Sequence, residues 1–279
     1  MLERIKHINS VGESIDSYSS HIFMNYNDLR DFVWKVKREN DKIVGFEKGM
    51  ETKTVPFYIL CREDEADDLK DKFFEHFEID VLSNKPGYFE INGYKFYCYS
   101  TESRKSEYLA SKGCLKIDMK FETDQPSWIK ETSYVLNYES KKMMNAMSAN
   151  PKRYTYTYPY KYTSNKKNLQ VINDAIGKSD VIIRMFGPAT EPFVNINGVM
   201  YKVMSSVIDG EYIEINTEKR TIIKYTEYGE KTNLYNFRAK ETSDFFAKVP
   251  SGLLTITSSD MTSAEVVILE KRSEPKWKS

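Results

Sequence analysis

The stretch 87–100 reads Gly87-Tyr88-Phe89-Glu90-Ile91-Asn92-Gly93-Tyr94-Lys95-Phe96-Tyr97-Cys98-Tyr99-Ser100. Two alternating aromatic-rich runs flank Asn92-Gly93, a dipeptide that accepts the positive φ angles of a tight two-residue turn. It therefore reads as a β-hairpin. The same grammar recurs outward from it. Leu115–Glu122 alternates apolar and polar residues, as a half-buried strand must. Phe193–Tyr201 is a second hairpin, turning at Asn197-Gly198. Strands follow at Asp180–Phe186 (ending in Gly187-Pro188), Glu211–Asn216 after the Asp209-Gly210 turn, Thr221–Tyr225, Leu253–Thr257 after Ser251-Gly252, and Ala264–Glu270. Many short strands at this spacing predict sandwich or barrel architecture.

The first hundred residues are less uniform. Ile22-Phe23-Met24 reads as a short strand, and Leu29–Val36 as a strand or one amphipathic turn, which periodicity does not separate. Trp34 is expected in the core. Thr54–Cys61 reads as a buried strand. After it comes the one predicted helix, Glu63 to about Phe77, with Asp64 as cap and Asp67 and Asp68 near the first turn, where the helix dipole favours anions. Ala66, Leu69, Phe73 and Phe77 fall on one face at helical spacing. His76 is expected at the helix end, at the negative pole. Between 130 and 170 the composition changes, and Arg153–Tyr162 alternates Tyr with Thr or Pro. That run reads as an edge or crossover strand with one face packed, in preference to an exposed aromatic platform. A domain boundary is expected there, giving domains 1–131 and 132–279 with an irregular Tyr-rich linker or first strand near 140–165. Trp277 is expected to pack back on the second domain.

Composition bounds the function. In 279 residues, 40% are hydrophobic, mean hydropathy is −0.58, and 20 Tyr and 15 Phe favour pleated, half-buried surfaces. The fold class expected is mainly β. Lys+Arg and Asp+Glu both number 41, so the basic excess of a dedicated DNA binder is missing. No apolar run approaches the roughly 20 residues that span a bilayer, and Met1–Ser20 lacks the apolar region of a signal peptide. Membrane insertion is not expected, and the chain is expected to begin life in a cytoplasm. Cys61, Cys98 and Cys114 show no metal spacing and read as buried free thiols.

Catalytic readings find little in the residues. His7, His21 and His76 stand in no nucleophile or metal pattern. Gly177-Lys178-Ser179 resembles the end of a phosphate-binding loop, but Ile172 occupies the position that needs the first glycine. Asp64, Glu65, Asp67 and Asp68 lack the Gly and spaced oxygens of a calcium loop and are better explained as a helix N-terminus. A carboxylate pair for glycoside hydrolysis is a matter of separation in space, which spacing along a chain does not supply. No catalytic, cofactor-binding or metal residue is assigned, and no cofactor is expected.

One ordered series carries a resemblance. It comprises Phe186-Gly187-Pro188-Ala189-Thr190-Glu191-Pro192 through Gly198, then Asp209–Thr217 leading to Arg220, then Asn233-Leu234-Tyr235, Phe245-Phe246 and Val249-Pro250-Ser251-Gly252, and finally Val267–Arg272 with Glu274-Pro275-Lys276-Trp277. Leu115–Trp128 and Tyr158-Pro159-Tyr160 fit the same series. It resembles the distal tail protein (Dit) family of siphophages over about 110–279, through order and spacing more than any single motif. The resemblance implies an N-terminal β-sandwich-type ring domain with one helix and a β-hairpin, and a C-terminal galectin-like β-sandwich. It also implies a non-enzymatic virion protein of the tail tip, assembled in the host cytoplasm. Six copies would form a hub ring joining the tail tube protein to the tail-tip protein, with receptor-binding or baseplate proteins at its periphery. DNA would pass through the lumen without sequence recognition. Competing readings are a carbohydrate-binding sandwich module for host recognition, with Tyr154–Tyr162 supplying aromatics, and a cell-wall or glycan hydrolase. A galectin-like fold does not by itself imply sugar binding.

Overall fold

In a computed structural model, the described residues are 4–17, 21–24, 26–60, 66–109, 114–137, 168–239, 244–259 and 263–277. The chain divides into two compact units, Met1–Lys130 with Lys271–Ser279, and Glu131–Glu270. It passes from the first to the second within β10 and returns within β21.

The first unit contains β1 (Ile5–Ile8), β2 (Ser14–Asp16), β3 (Ile22–Met24), β4 (Lys35–Glu39), β5 (Lys42–Glu47), β6 (Glu51–Leu60), α1 (Ala66–Ser83), β7 (Gly87–Ile91), β8 (Tyr94–Leu109), β9 (Cys114–Thr123) and the start of β10 (Trp128–Leu136). The hairpin read from the sequence is β7–β8, with Asn92 and Gly93 at φ 52° and 78°. β8 continues past Ser100 and serves two layers. Its first part pairs with β7, and with β10 at Lys95 and Ile129. From Tyr99 onward it pairs with β9, with register shifts after Ser100 and Lys105. Such irregularities bend a strand and let it turn a corner between layers. β9 pairs in turn with β6, and β6 with β3.

Alternation then dictates the core. Val55, Phe57 and Ile59 of β6 face inward with Leu115, Ile117, Met119 and Phe121 of β9. α1 closes this core with Phe73 and Phe77, whose rings meet Phe57 edge-on or tilted at 5.1 and 5.7 Å. Burying each ring contributes roughly 2–3 kcal/mol. Trp128 lies beneath, its indole N–H donating to the Leu29 carbonyl at 3.2 Å. Buried Lys53 donates to the Asp31 carbonyl and to Glu51 at 2.7 Å, so its charge is paired.

The second unit is a two-sheet sandwich. Its strands are β11 (Asn168–Asn173), β12 (Asp180–Phe186), β13 (Ala189–Thr190), β14 (Phe193–Ile196), β15 (Val199–Lys202), β16 (Ser206–Val207), β17 (Tyr212–Asn216), β18 (Thr221–Tyr225), β19 (Lys231–Asn233), β20 (Gly252–Ser258) and β21 (Ser263–Arg272). One sheet runs β19-β18-β17-β12-β21, the other β11-β20-β14-β15, and β13 and β16 form a small pair. Val181, Ile183 and Ile213 from the first pack with Val171, Val194 and Ile256 from the second. Asn197 at the β14–β15 turn accepts from Thr255 N at 2.7 Å and donates to the Leu253 carbonyl at 3.2 Å, which ties this turn to β20. Gly187, joined to Pro188 by a cis peptide, lies so close to the Ile208 carbonyl that a Cβ would overlap it.

The mainly β reading and the placement of its strands agree with this architecture. Four expectations change. The helix runs on to Ser83, where Asn84 adopts a left-handed φ of 51° two residues before Pro86. Consequently His76 lies inside the helix and is buried, not at its negative pole. Trp34 is 46% exposed, and Leu29 is the buried residue of that stretch. A hairpin that the pattern reading does not anticipate, β4–β5, turns at Asn40-Asp41, both at positive φ. Trp277 is 72% exposed, stacks under the Arg30 guanidinium at 3.8 Å, and so belongs with the first unit. The Arg153–Tyr162 run, Cys61 and the Asp64–Glu65 pair lie outside the described residues.

Candidate functional site

The structure brings together two of the three histidines. β1 alternates so that Ile5 and His7 point inward, and α1 carries Phe73, His76, Phe77 and Asp80 on one buried face. His7 Nδ1 lies 2.9 Å from His76 Nε2. Phe77 and Phe89 pack on the His7 ring at 4.7 and 4.8 Å between centroids. Burial pushes both imidazoles down, His7 well below its usual value with His76 adding to the effect, and His76 to about 4. The pair is neutral near pH 7, with one ring donating and the other accepting. Asp80 beside it accepts from Ser10 N at 2.6 Å, and burial raises its carboxyl. Gly87 sits against both: a Cβ there would overlap Asp80 and meet the His7 ring at 2.8 Å. Aromatic rings and backbone surround this cluster, and its role is to hold the β1–β2 turn on the helix. A four-residue helical face of 73, 76, 77 and 80 is the signal that could have located it.

The other candidates serve the scaffold. Ser179 of Gly177-Lys178-Ser179 is buried in a bridge to Val249 and bonds to Asn173 at 3.1 Å, so that tripeptide is a turn. Asp67 and Asp68 are exposed in the first turn of α1. Glu214 and Glu265 are brought together by Arg184, which holds them at 2.8 and 2.9 Å. Burial works against the Arg184 charge, but its hydrogen bonds to Glu265 and Glu214 outweigh it and raise its pKa. His21 contributes its carbonyl to Leu60 N. Among the described residues, no group of three or more His, Cys, Asp or Glu side chains is placed to hold a metal ion.

The unusual surface is the β4–β5 arm. It forms its own two-stranded sheet, and all its residues are exposed except the half-buried Gly45. Val36 pairs with Phe46 and Arg38 with Ile43, across a register shift. Val36 and Arg38 are two apart and share a face; their partners therefore share it too. The irregularity thus collects Val36, Ile43 and Phe46 on one side. Lys35, Lys37 and Glu39, paired with Glu47, Gly45 and Lys42, occupy the other, where Lys37 and Glu47 form a 2.6 Å ion pair. The stem is fixed by Lys48, which donates to the Pro126 carbonyl at 2.6 Å and lies 5.0 Å from the Trp34 ring centroid.

No family model matches this chain, and no curated protein matches its sequence. Solved structures do. A chain of the phage P2 baseplate in its activated conformation with Ca aligns at TM-score 0.61 and 14% identity, covering 99% of this chain and 100% of that one. The corresponding Sr form gives 0.62 and 12%, with the same coverage. SPP1 Dit, described as a paradigm of the hub adsorption apparatus in phages infecting Gram-positive bacteria, aligns at 0.56 and 10%, covering 98% and 100%. Along nearly its whole length, the chain thus has the fold of these phage baseplate and Dit hub chains.

Proposed function

We propose that this chain is a structural, non-enzymatic component of a bacteriophage tail tip. Six copies form a hub ring that joins the tail tube to the tail-tip protein and carries receptor-binding or baseplate proteins at its periphery. DNA passes through its lumen without sequence recognition. The observation that carries this reading is the end-to-end alignment with phage P2 baseplate and SPP1 Dit chains, in which neither partner leaves a domain over. Equal numbers of acidic and basic residues suit a lumen that must not grip phosphate. The ring contacts belong to the first domain, near 1–131, and the second, near 132–279, faces the peripheral proteins.

Light scattering after size exclusion, with negative-stain images of the peak, tests this directly. A six-fold ring with a channel wide enough for duplex DNA is the expected result. A chain that stays monomeric at high concentration, alone and with its tail-tube partner, overturns it.

A further inference from the structure

In the second unit, the sheet β19-β18-β17-β12-β21 buries Ile183, Met185, Ile213 and Ile222 in the sandwich core. By alternation, their neighbours along each strand point outward. Register sets those outward residues in lines across the sheet. One row is Ser263, Phe186, Tyr212, Tyr225 and Lys231, a residue from each of five strands. The next is Glu265, Arg184, Glu214, Ile223 and Asn233. In the first row, Phe186 and Tyr212 meet at 5.8 Å between ring centroids. Tyr212 and Tyr225 stack at 4.8 Å with 11° between their planes, and Lys231 Nζ lies 5.6 Å from the Tyr225 centroid. In the second row, Arg184 holds one oxygen of Glu214 and one of Glu265, and Ser133 donates to the other oxygen of Glu265. Glu214 Oε1 and Arg184 Nη2 keep no partner among the described residues. The two rows are within electrostatic reach: burial and the Glu214 charge raise the Tyr225 phenol, with Arg184 working against them.

This chemistry selects its occupant. A protein partner favours a patch whose centre is apolar and depleted of charge, whereas an ion-paired triad lies at the centre here. The charged side chains of the two rows are two cations, Arg184 and Lys231, and two carboxylates, Glu214 and Glu265. They cancel, so a charged polymer meets no net attraction. An uncharged sugar ring matches both rows, because its C–H face packs on aromatic rings and its hydroxyls both donate and accept. Arg184 and Glu214 are already held by each other, so bonding a ligand costs them little further ordering. The aromatic row crosses four inter-strand steps, roughly 19 Å, which suits an extended chain better than a single sugar.

We propose that this sheet face binds a neutral polysaccharide of the host cell surface, with sugar rings along Phe186, Tyr212 and Tyr225 and hydroxyls on Glu214 and Arg184. The site follows from the sheet alone; only the source of the glycan rests on the tail-tip reading.

The test titrates the full chain with neutral hexasaccharides of glucose, galactose, mannose and N-acetylglucosamine, and with hexagalacturonate as the acidic control. Calorimetry and tyrosine fluorescence are the readouts. At least one neutral probe should bind saturably, more tightly than its monosaccharide, and with an affinity that salt leaves unchanged. Tyr225→Ala should weaken that binding roughly tenfold. Glu214→Gln, which keeps size and shape, should also weaken it, with an unchanged thermal midpoint. Leu253→Ser, exposed on the other sheet, should bind like the parent. The proposal is overturned by the absence of binding to every neutral probe, by binding that survives both variants, or by binding of the acidic probe alone that fades with salt. Variants that alter the size of the assembled ring while no probe binds would make this face a protein contact, and also overturn it. Each of these failures leaves the hub reading standing. A chain that binds a neutral probe but never assembles sinks the hub reading and keeps the site.

Discussion

At the scale of single residues, the His7–His76 pair sets a pH dependence. Unfolded imidazoles take up protons near pH 6.5, whereas the folded pair stays neutral until well below that, about 4 for His76. The unfolded chain therefore binds more protons between those limits, and stability must fall as pH drops through 6.5 toward 4. Above 6.5 this contribution is complete; below about 4 no more is lost from His76. The expected loss from that residue is roughly 2 kcal/mol after allowing for partial solvation, read as a fall in the urea midpoint between pH 7 and 4.5. Asp80 works in the opposite sense, because burial raises its carboxyl, so the control variant, His76→Gln, leaves it in place. A midpoint in that variant with the same pH slope as the parent would sink the explanation. Gly87 offers a second residue-scale prediction. Gly87→Ala places a methyl against Asp80 and His7 and should lower stability by about 2 kcal/mol through overpacking, seen as a lower thermal midpoint.

The elements show how far local pattern reaches. Both Asn-Gly hairpins were legible, because their turn demands positive φ at two successive residues and few dipeptides supply it. The β4–β5 turn meets the same demand with Asn40-Asp41, a weaker signal, and its strands carry exposed residues on both faces, so no inward alternation announced them. The helix end was misplaced for a different reason. Glu78, Asp80 and Ser83 look solvated by type, yet Asp80 is buried because Ser10 reaches it from a distant turn. Two predictions belong here. Phe77→Ala removes a ring shared by Phe57, Phe121 and His7 and should cost about 3–5 kcal/mol, measured by chemical unfolding. Lys48→Ala should leave the free energy of unfolding within about 0.5 kcal/mol of the parent's. Trypsin should nevertheless cut the arm at Lys35–Lys42 faster, because the stem loses its hold on Pro126. Unchanged cleavage would show that the stem is held by something else.

For the molecule as a whole, the chain returns. After β21 the last residues rejoin the first unit, where Arg30 donates to the Pro275 carbonyl at 2.8 Å, pairs with Glu274 at 3.1 Å and stacks on Trp277. Asn92, at the tip of the founding hairpin, donates to the Lys276 carbonyl at 2.9 Å. Arg30→Ala should therefore release the C-terminal segment to trypsin at Lys271 and Arg272 while costing the core only about 1 kcal/mol, with both readouts taken on the full-length chain.

Alternation of period two, the helical face of α1 and the turn dipeptides are properties of neighbours in sequence, so the sequence alone determined the mainly β class, most strands and the order of elements. The buried partner of His7, the exposure of Trp34 and the destination of Trp277 each depend on a residue tens or hundreds of positions away. Those were decided only by the tertiary structure, because burial is a property of the packed whole and not of any window along the chain.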